Sequence, residues 1–368
     1  MKIHSVTLHR LQMQLKSPFT TSFGTVQEKD FYLIEVVDED GYRGFSESVA
    51  FTTPWYTEET TVTVKIMLEQ LLIPKLLHKT INHPNDLAAL FQPIKRNYMA
   101  KAAIEGAVWD LYAKREGLPL AKIIGGEKEA VEVGISLGME EDTTILLKKI
   151  DYYVREGYKR VKVKVKPGKD IAVLREIRRY FPDVPLMVDA NSAYSLADLE
   201  HLIKFDEFDL MMIEQPLADD DIAEHAVLQK ELKTPICLDE SIYSLNDVKL
   251  AVQLGSCKII NIKSGRVGGL TQAKKIHDFC EANGIDVWVG GMLDAGVGRA
   301  HNIALATLNN FTLPGDIGGS SHYWQEDIIH PEVVVEDGVI HVSDEPGIGY
   351  EIDWDAVEKY RVDFQRFT

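Results

Sequence analysis

The sequence predicts an α/β fold, with a closed parallel barrel as its main body and an α+β domain ahead of it. The main observation is a repeat, in which five apolar runs each carry a charged residue at or near their C-terminal end. These residues are Lys164, Asp189, Glu214, Asp239 and Lys263. Their numbers differ by 25, 25, 25 and 24, which is the length of one strand, one helix and two short loops. Because all strands of a parallel barrel end on one face, the repeat brings these groups to one site.

The composition is that of an ordinary globular protein with two domains. The chain has 368 residues, 45% of them hydrophobic, and a single core rarely organises more than about 250 to 300 residues. The net charge of -17 and the pI near 5.1 argue against nucleic acid or an anionic membrane as a partner, because both attract basic surfaces. A small anionic substrate fits this charge where lysines or a metal ion meet it.

Cysteine usage and the amino terminus indicate a cytoplasmic protein. Cys237, Cys257 and Cys280 are odd in number and lack a CxxC spacing, so we expect small buried residues in a reducing compartment. The chain opens with an alternating strand pattern instead of an apolar signal core. It contains no run of about 18 apolar residues, so no membrane partner is expected.

Residues 1–125 do not share the repeat and are expected to form the α+β domain. Strands are predicted at 3–8, 31–37 and 44–47, with a hairpin turn at 38–41, and helices at 58–77, 86–91 and 102–115. Two loops, 17–24 and 51–56, place aromatic side chains among small polar and turn residues. Such loops suit a lid over an apolar ligand, although packing between the two domains is the alternative interpretation.

The barrel units begin near residue 130. The predicted elements include strand 131–137, helix 142–156, strand 161–165, a helix from Asp170, strand 287–289, helix 299–308, strand 311–313 and a tail hairpin over 333–340. Ser195 and Ser244 each stand three residues before an acid, close to the capping boxes that start helices, and Gly255 and Gly284 mark helix ends. The tail beyond residue 316 does not fit the repeat and is expected to pack back on the first domain.

Asp189, Glu214 and Asp239 end the third, fourth and fifth strands of the predicted barrel, so three carboxylates lie side by side. An all-oxygen site without His or Cys suits Mg²⁺ or Mn²⁺ better than zinc. Without a cation, two such charges at 4 Å repel by roughly 4 kcal/mol in an effective dielectric of about 20. Strand-end acids can also cap the following helices, but three at equal spacing favour a metal site.

Lys164 and Lys263 end strands 2 and 6, which lie opposite each other in an eight-stranded barrel. An amine with a pKa of about 10.4 is not a base at neutral pH. Lys162 points the same way as Lys164 along the strand, and Arg266 follows Lys263 by three residues. Because a like charge and burial both disfavour protonation, we expect lowered lysine pKa values. A solvated barrel edge is the alternative interpretation of the Lys-x-Lys strand.

A carboxylate substrate on the metal would have its α-carbon between the two lysines. Removal of the α-proton makes an enediolate, whose charge a metal ion is placed to stabilise. One lysine acting alone would serve an elimination or a cycloisomerisation. Both lysines acting in turn would serve a racemisation or an epimerisation.

These residues resemble the enolase superfamily and, within it, the muconate lactonizing enzyme-like subgroup. Residues 102–126 look like the last capping-domain helix of that family and its entry to the barrel, and 161–168 look like its Lys-x-Lys strand. The segments 189–191, 214–216 and 239–241 look like its three metal-ligand strand ends. The resemblance extends over nearly the whole chain.

Three further segments, 261–269, 290–292 and 312–316, look like the o-succinylbenzoate synthase / N-succinylamino acid racemase branch. The resemblance implies a modified TIM barrel of the (β/α)7β type with an α+β capping domain that the C-terminal tail completes. The implied domains are a capping domain with the substrate-specificity loops at 1–125, a barrel with metal and lysines at 126–316, and a C-terminal segment at 317–368 that packs on the cap.

The resemblance also implies roles for single residues. Lys164, with Lys162 beside it, is implied as the base that removes the α-proton and then the acid for the departing hydroxyl in a syn dehydration. Lys263 is implied as a cation beside the enediolate, and Mg²⁺, or Mn²⁺, as the metal. The implied substrate-binding residues are Asn191 and the candidates for the apolar lid, Phe19, Phe23, Phe51 and Tyr56. Backbone amides near Gly291 and Met292 are implied to hold the succinyl carboxylate. The implied supporting residues are Arg266, Glu240 and Asp294, the last of which stands where this branch is expected to have Glu.

Several functions remain open at this point. The first is o-succinylbenzoate synthase, which makes an aromatic menaquinone precursor, and the second is N-succinylamino acid racemase, with both activities in one protein as a third case. A barrel aldolase that forms a Schiff base on one lysine is an alternative from another class, but it leaves the three carboxylates unexplained. A non-catalytic binding protein would have no use for the bases. The expected partner is a small carboxylate, and a homo-oligomer is the expected assembly.

Overall fold

The computed structural model describes residues 1–21 and 24–368. The N-terminal strands β1 (Ile3–Thr20), β2 (Thr25–Asp38) and β3 (Arg43–Glu47) form an antiparallel sheet, and the last strand of the chain pairs with the free edge of β1. The turn between β2 and β3 lies at the predicted position, where the Asp38 carboxylate accepts the amides of Asp40 and Tyr42 at 3.1 and 3.0 Å. This sheet is the core of the cap.

The helices of the cap agree with the predicted spans to within a few residues. They are α1 (Thr61–Met67), a π-helical stretch (Leu68–Leu72), α2 (Ile73–Leu76), α3 (Asp86–Leu90), α4 (Tyr98–Glu116) and α5 (Leu120–Ile123). The long helix α4 ends at Gly117, whose φ of 67° is the left-handed conformation that suits glycine. Gly44 lets β3 lie directly on α4, because a Cβ there would stand 2.1 Å from the Ala107 carbonyl oxygen.

Seven parallel strands form the barrel sheet, and they follow one another in chain order from β5 to β11. A short strand, β4, precedes them. The strands are β4 (Ala130–Glu132), β5 (Gly134–Leu137), β6 (Arg160–Lys164), β7 (Leu186–Asp189), β8 (Ile213–Glu214), β9 (Ile236–Leu238), β10 (Ile259–Ile262) and β11 (Asp286–Val289). An α/β fold with a parallel barrel sheet and a strand-rich cap is therefore confirmed as the fold class.

Helices cover the outside of the sheet, as the 25-residue repeat predicts. They are α6 (Thr143–Arg155), α7 (Ile171–Tyr180), α8 (Leu199–Leu202) between 3-10 turns at Leu196–Asp198 and Ile203–Phe208, α9 (Ala223–Glu231), α10 (Leu245–Leu254), α11 (Ser264–Val267), α12 (Leu270–Ala282) and α13 (Gly296–Ala306). Asp142 and Asp170 cap α6 and α7, and the capping box at Ser195 is present.

The eighth position of the barrel is an irregular segment instead of a regular strand. Phe311 bridges to Val287 on β11, and Gly315 bridges to Val133 beside β5, so residues 311–316 contact both edges of the sheet. The Asp316 amide also donates to the Val289 carbonyl at 2.8 Å. Residues 311–316 thus close the barrel without a ladder of their own.

Several predicted elements differ from the structure. Strand β1 extends to Thr20, well beyond the predicted 3–8, and the predicted strand 131–137 is divided into β4 and β5. Helix α13 begins at Gly296, three residues before the predicted start, because Glu47 of the cap accepts the amides of Ala295 and Gly298, each at 2.9 Å. The tail hairpin over 333–340 is confirmed only at its turn, where Glu336 and Val339 form a single antiparallel bridge. Its second half, Val339–His341, pairs with β4.

The rest of the tail joins the cap and the barrel. Its elements are α14 (Ser320–Tyr323), β12 (Ile329–His330), β13 (Val339–His341), β14 (Glu351–Ile352), α15 (Trp354–Tyr360) and β15 (Arg361–Phe367). Strand β15 pairs with β1 in the cap sheet.

The three cysteines are buried and free, as predicted. Cys237 lies inside the barrel, where it packs with Met187, Met212 and Trp288. None of the described helices combines the length and the apolar composition needed to cross a bilayer.

Candidate active site

The C-terminal ends of the barrel strands bring the predicted charged residues together. Lys164 pairs in register with Asp189, and Asp189 with Glu214, across β6, β7 and β8. Asp239 and Lys263 directly follow β9 and β10. A cavity of about 60 Å³ at these ends is lined by Lys162, Lys164, Asn191 and Lys263 on the barrel side, with Phe19, Phe51 and Tyr56 from the cap.

Each lysine is held by carboxylates. Lys162 Nζ lies 2.5 Å from Asp316, 3.2 Å from Glu214 and 3.5 Å from Asp189. Lys164 Nζ donates to Asp189 Oδ2 at 2.5 Å.

Lys263 has a similar environment on the other side of the carboxylates. Its ammonium donates to Asp239 Oδ2 at 2.8 Å and to the Tyr56 hydroxyl at 2.9 Å. The buried Arg266 also donates to that hydroxyl, at 2.7 Å, and pairs with Asp239. Burial raises the pKa of Tyr56 above its ordinary value, so the hydroxyl stays protonated and accepts both bonds.

The expectation of lowered lysine pKa values is wrong for Lys162 and Lys263. Burial lowers the pKa of Lys162, but the charges of Asp316, Glu214 and Asp189 outweigh it and raise the pKa well above its ordinary value. Burial is likewise outweighed at Lys263, where Asp239 and Tyr56 raise the pKa despite Arg266. The sequence pattern showed the neighbouring cations but not how closely the carboxylates approach the amines.

The three carboxylates are at most 1% exposed, and their charges are strongly coupled. Burial and the charges of Asp189 and Asp239 raise the pKa of Glu214 to about 8, although Lys162 opposes this shift. Burial acts to raise the pKa of Asp239 as well, but the charges of Arg266 and Lys263 outweigh it and hold this pKa far below the usual range. A buried cluster of this kind is an unfavourable arrangement of anions that a cation would relieve.

The donor set fits a hard divalent cation. It consists of three buried carboxylates, and nearby Glu240 Oε2 is a buried oxygen without a hydrogen-bond partner among the described residues. The carboxylate oxygens of Asp189, Glu214 and Asp239 do not all lie within 4.8 Å of one another. Among the described residues, such close spacing of possible ligand atoms is found for His277, Asp278 and Glu281. Lys162 contacts both Asp189 and Glu214, whereas Lys263 and Arg266 pair with Asp239.

Asn191 and Glu240 form one side of the site. Asn191 accepts from Lys164 Nζ at 2.8 Å and donates to Glu240 Oε1 at 2.8 Å. Burial raises the pKa of Glu240 well above its ordinary value, and the charges of Asp239 and Asp189 add to the effect. Glu240 therefore binds a proton more readily than an exposed glutamate does.

The loop after β11 contributes Gly291 and Met292 to the cavity wall. The Met292 amide already donates to Asp294 Oδ2 at 2.8 Å, and Asn302 donates to the same oxygen at 3.2 Å. Asp294 therefore shapes this loop, and the Met292 amide is engaged within the protein. Phe23, which was predicted as a lid residue, lies outside the described residues.

Several residues of the site carried no predicted role. Asp316 contacts Lys162 and Arg160, and Asn261 donates to Glu214 Oε1 at 2.8 Å. Gln215 links two strand-end loops, and Ser136 lines the cavity. Asp316 and Gln215 stand in segments that the resemblance singled out, but only the folded chain shows what they contact.

Comparisons with known proteins cover nearly the whole chain. Residues 3–125 match the family model described as mandelate racemase / muconate lactonizing enzyme, N-terminal domain, and residues 146–356 match the model described as enolase C-terminal domain-like. An o-succinylbenzoate synthase from Geobacillus kaustophilus is 61% identical over 97% of this chain and 96% of its own length. An N-succinylamino acid racemase from Thermus thermophilus is 42% identical over 100% of this chain and 99% of its own.

A solved structure shows the same fold. The crystal structure of an enolase superfamily member from Listeria innocua superimposes with a TM-score of 0.97 at 45% identity, and covers 100% of this chain and 99% of the other. The similarity therefore includes the cap, the barrel and the tail.

Proposed function

Because the chain belongs to the enolase superfamily, in its mandelate racemase / muconate lactonizing enzyme group, we propose that it is an o-succinylbenzoate synthase. The proposed reaction is the syn dehydration of a succinyl-substituted hydroxycyclohexadiene carboxylate to o-succinylbenzoate, a step toward menaquinone. The full-length identity of 61% to a relative of that name carries the proposal. The convergence of Lys164 with three buried carboxylates supplies the chemistry it needs.

Lys164 is the proposed acid and base. Its amine removes the α-proton of the substrate carboxylate and then protonates the hydroxyl that departs from the same face. Asn191 holds the amine by a hydrogen bond of 2.8 Å, which directs it toward the cavity. Lys162, two residues earlier, also lines the cavity, where it pairs with Asp316 at 2.5 Å.

Lys263 is proposed to face the reacting carbon as a cation. Its ammonium, fixed by Tyr56 and Asp239, stabilises negative charge that develops on the substrate during proton removal. Enzymes of this superfamily depend on a divalent metal ion. Asp189, Glu214 and Asp239 are the proposed ligands, for Mg²⁺ or alternatively Mn²⁺, and the ion would stabilise the substrate carboxylate as its charge increases.

N-succinylamino acid racemisation is the second candidate, alone or beside the synthase activity. The 42% identity to a racemase over the whole chain favours it. Lys263 lines the same cavity as Lys164, which is the arrangement that proton transfer at two faces requires. Both activities would use the same metal ligands.

Each part of the chain has a proposed role in this function. The capping domain, residues 1–125, covers the substrate with Phe19, Phe51 and Tyr56 as apolar lid residues, to which the sequence adds Phe23. The barrel, residues 126–316, carries the chemistry, and residues 317–368 complete the cap. A cytoplasmic location and a homo-oligomer complete the proposal.

The test measures two reactions on one preparation. Turnover of the cyclohexadiene precursor and α-proton exchange of an N-succinylamino acid in deuterated buffer are each assayed with Mg²⁺ and with chelator. We expect metal-dependent turnover that Lys164→Ala lowers at least about 10³-fold, while Lys204→Ala, at an exposed lysine, leaves it unchanged.

The two candidates give different outcomes in that test. Dehydration without exchange means a dedicated synthase. Exchange at both faces of the amino acid, with one face lost in Lys263→Ala, means a racemase or an enzyme with both activities. Absence of metal-dependent activity on both substrates contradicts the proposed function.

A further inference from the structure

An apolar groove continues from the active-site cavity on the side of the first barrel strand. It measures about 310 Å³ and lies between the cap segment that precedes Phe19 and helix α6. Phe19, Ser136 and Tyr323 line both the groove and the cavity. The cavity itself offers only about 60 Å³, so additional room for a substrate lies in the groove.

Ser136 marks the junction of the two spaces. It lies near the C-terminal end of β5, is 9% exposed, and its hydroxyl has no hydrogen-bond partner among the described residues. Buried hydroxyls in folded proteins are nearly always bonded. The unpaired hydroxyl at the junction therefore indicates a place where Ser136 can donate a hydrogen bond to a ligand oxygen.

The outer part of the groove combines apolar walls with a cation. Ile145 and Tyr152 of α6 line the groove. Both have large apolar side chains, yet they are 45% and 57% exposed. Lys149 pairs with Glu140, whereas Lys148, on the same helix, makes no ion pair with a described residue. Exposed apolar side chains grouped at a site opening are typical of a ligand surface.

We propose that this groove binds the distal end of a long acyl arm, and that the protein accepts acyl arms longer than succinyl when they end in a carboxylate. The inference rests on the proposed function, because it assumes that the aromatic or amino acid carboxylate binds at the metal site. A succinyl arm ends within the inner cavity. A longer arm passes Ser136, lays its methylene groups on Ile145 and Tyr152, and reaches Lys148 with its terminal carboxylate.

The test measures binding, so it does not depend on turnover. Dissociation constants of 2-succinylbenzoate, 2-adipoylbenzoate and 2-hexanoylbenzoate are determined by calorimetry on the full-length protein in buffer with MgCl₂. The hexanoyl compound has the same number of arm carbons as the adipoyl compound but no terminal charge. We expect the dissociation constant of the adipoyl compound to lie within about threefold of that of the succinyl compound. It should also be lower than that of the hexanoyl compound.

Two variants test the groove itself. Lys148→Ala is expected to raise the dissociation constant of the adipoyl compound about three- to fivefold, the usual range for an exposed ion pair. Ile145→Glu, which brings a negative charge to the wall, is expected to raise it about tenfold. Both variants should bind 2-succinylbenzoate like the wild type, and Lys122→Ala, at an exposed lysine outside the groove, should change none of the three constants.

The outcomes separate the two proposals. Tight binding of the succinyl compound together with binding of the adipoyl compound more than tenfold weaker would overturn the groove proposal alone. Equal effects of Lys148→Ala on the adipoyl and hexanoyl compounds would overturn it as well. Failure of 2-succinylbenzoate to bind would refute the proposed function, and the groove proposal with it.

Discussion

At the scale of single residues, Gln215 shows how the metal-ligand geometry is maintained. Its side chain is fully buried, and its backbone has a φ of 39°, a left-handed conformation that is unfavourable for a residue with a Cβ. The amide oxygen accepts from the backbone nitrogens of Asp239 and Ser241 at 3.0 and 3.2 Å. The amide nitrogen donates to Ser241 Oγ at 2.7 Å. Gln215 therefore fixes the position of Asp239 relative to Glu214.

We predict that Gln215→Ala lowers the affinity for the divalent cation about 10- to 100-fold, the usual range for a residue that orients a metal ligand. The amides of Asp239 and Ser241 lose their acceptor, so the Asp239 carboxylate is no longer held in place. Titration calorimetry with Mn²⁺ measures the effect without reliance on activity.

Gln229 provides a matched control for this variant. It is a buried glutamine that accepts from the Ile236 amide at 2.7 Å, at the opposite end of β9 from Asp239. Gln229→Ala should reduce the free energy of unfolding about as much as Gln215→Ala and leave the Mn²⁺ affinity unchanged. Equal Mn²⁺ affinities in the two variants would contradict the role assigned to Gln215.

At the scale of helices and strands, buried acids of the cap join elements that are distant in the chain. Glu105 on α4 accepts the Thr271 amide at 3.1 Å, in the first turn of barrel helix α12, and its second oxygen has no partner among the described residues. Burial raises the pKa of Glu105 to about 7, even though hydrogen bonds from Thr271 oppose the shift. The acid thus joins cap and barrel in a form that is partly protonated near neutral pH.

We predict a stability loss between pH 5 and pH 8 that depends on Glu105. The pKa in the folded protein lies above the ordinary value of 4.5, so the contribution is fully present below pH 4.5 and disappears as the pH rises through 7. The difference corresponds to about 3 kcal/mol of unfolding free energy, from about 1.36 kcal/mol per pKa unit. Urea unfolding of wild type and Glu105→Gln across this range should show the variant gaining relative stability with pH.

Glu116 lies at the exposed end of the same helix and serves as the control. Glu116→Gln should follow the wild-type pH dependence. If the unfolding free energies of wild type and Glu105→Gln changed in parallel with pH, the raised pKa of Glu105 would be ruled out.

Asp110, also on α4, holds three elements together. Its buried carboxylate accepts the Phe45 amide of β3 and the Ile348 amide of the tail, both at 2.8 Å, and the Lys114 ammonium at 2.7 Å. We predict that Asp110→Ala lowers the free energy of unfolding by about 3 to 5 kcal/mol, because two buried amides and a partly buried ammonium lose their acceptor. Asp110→Asn, which keeps one carbonyl oxygen, should lose less in thermal or urea unfolding. A loss below about 1 kcal/mol for the alanine variant would contradict this account.

At the scale of the whole molecule, the cap and the barrel complete one site together. The Glu47 carboxylate, paired with Lys29 at 2.8 Å, accepts amides at the start of α13, directly after the loop that carries Gly291 and Met292. Residues 311–316 close the barrel, and Asp316 from that segment holds Lys162. The cavity therefore depends on contacts between segments that are far apart in the chain.

We predict that Mg²⁺ stabilises the whole protein against heat. A ligand that binds only the folded state at about 100 times its dissociation constant adds about 2.7 kcal/mol, which corresponds to a Tm rise of at least about 2 °C for a chain of this size. Differential scanning calorimetry with Mg²⁺ and with chelator measures the rise. Glu214→Gln should show little or no rise, and the same increment in that variant would exclude Glu214 as a ligand.

Much of the fold and of the charged framework of the site was predictable. The 25-residue repeat places one charged group at the end of each of five strands, and the strand-helix alternation fixes which face those ends share. Helix limits at Asp142, Asp170 and Gly117 followed from capping chemistry, which acts within a few residues. The irregular eighth segment and the early start of α13 were not predictable, because their hydrogen-bond partners lie elsewhere in the chain.

The sequence by itself therefore determined the barrel, the strand-rich cap and the set of lysines and carboxylates, because periodicity and capping are local properties of the chain. The tertiary structure decided which group each charge meets. Glu47 and the Ala295 amide that it accepts are 248 residues apart, and no local pattern links them. The raised pKa values of Lys162 and Lys263 have the same origin, since they depend on the approach of Asp316 and Asp239 and not on the cations beside them in the sequence. Electrostatic energies depend on distances in space, and only folding sets those distances.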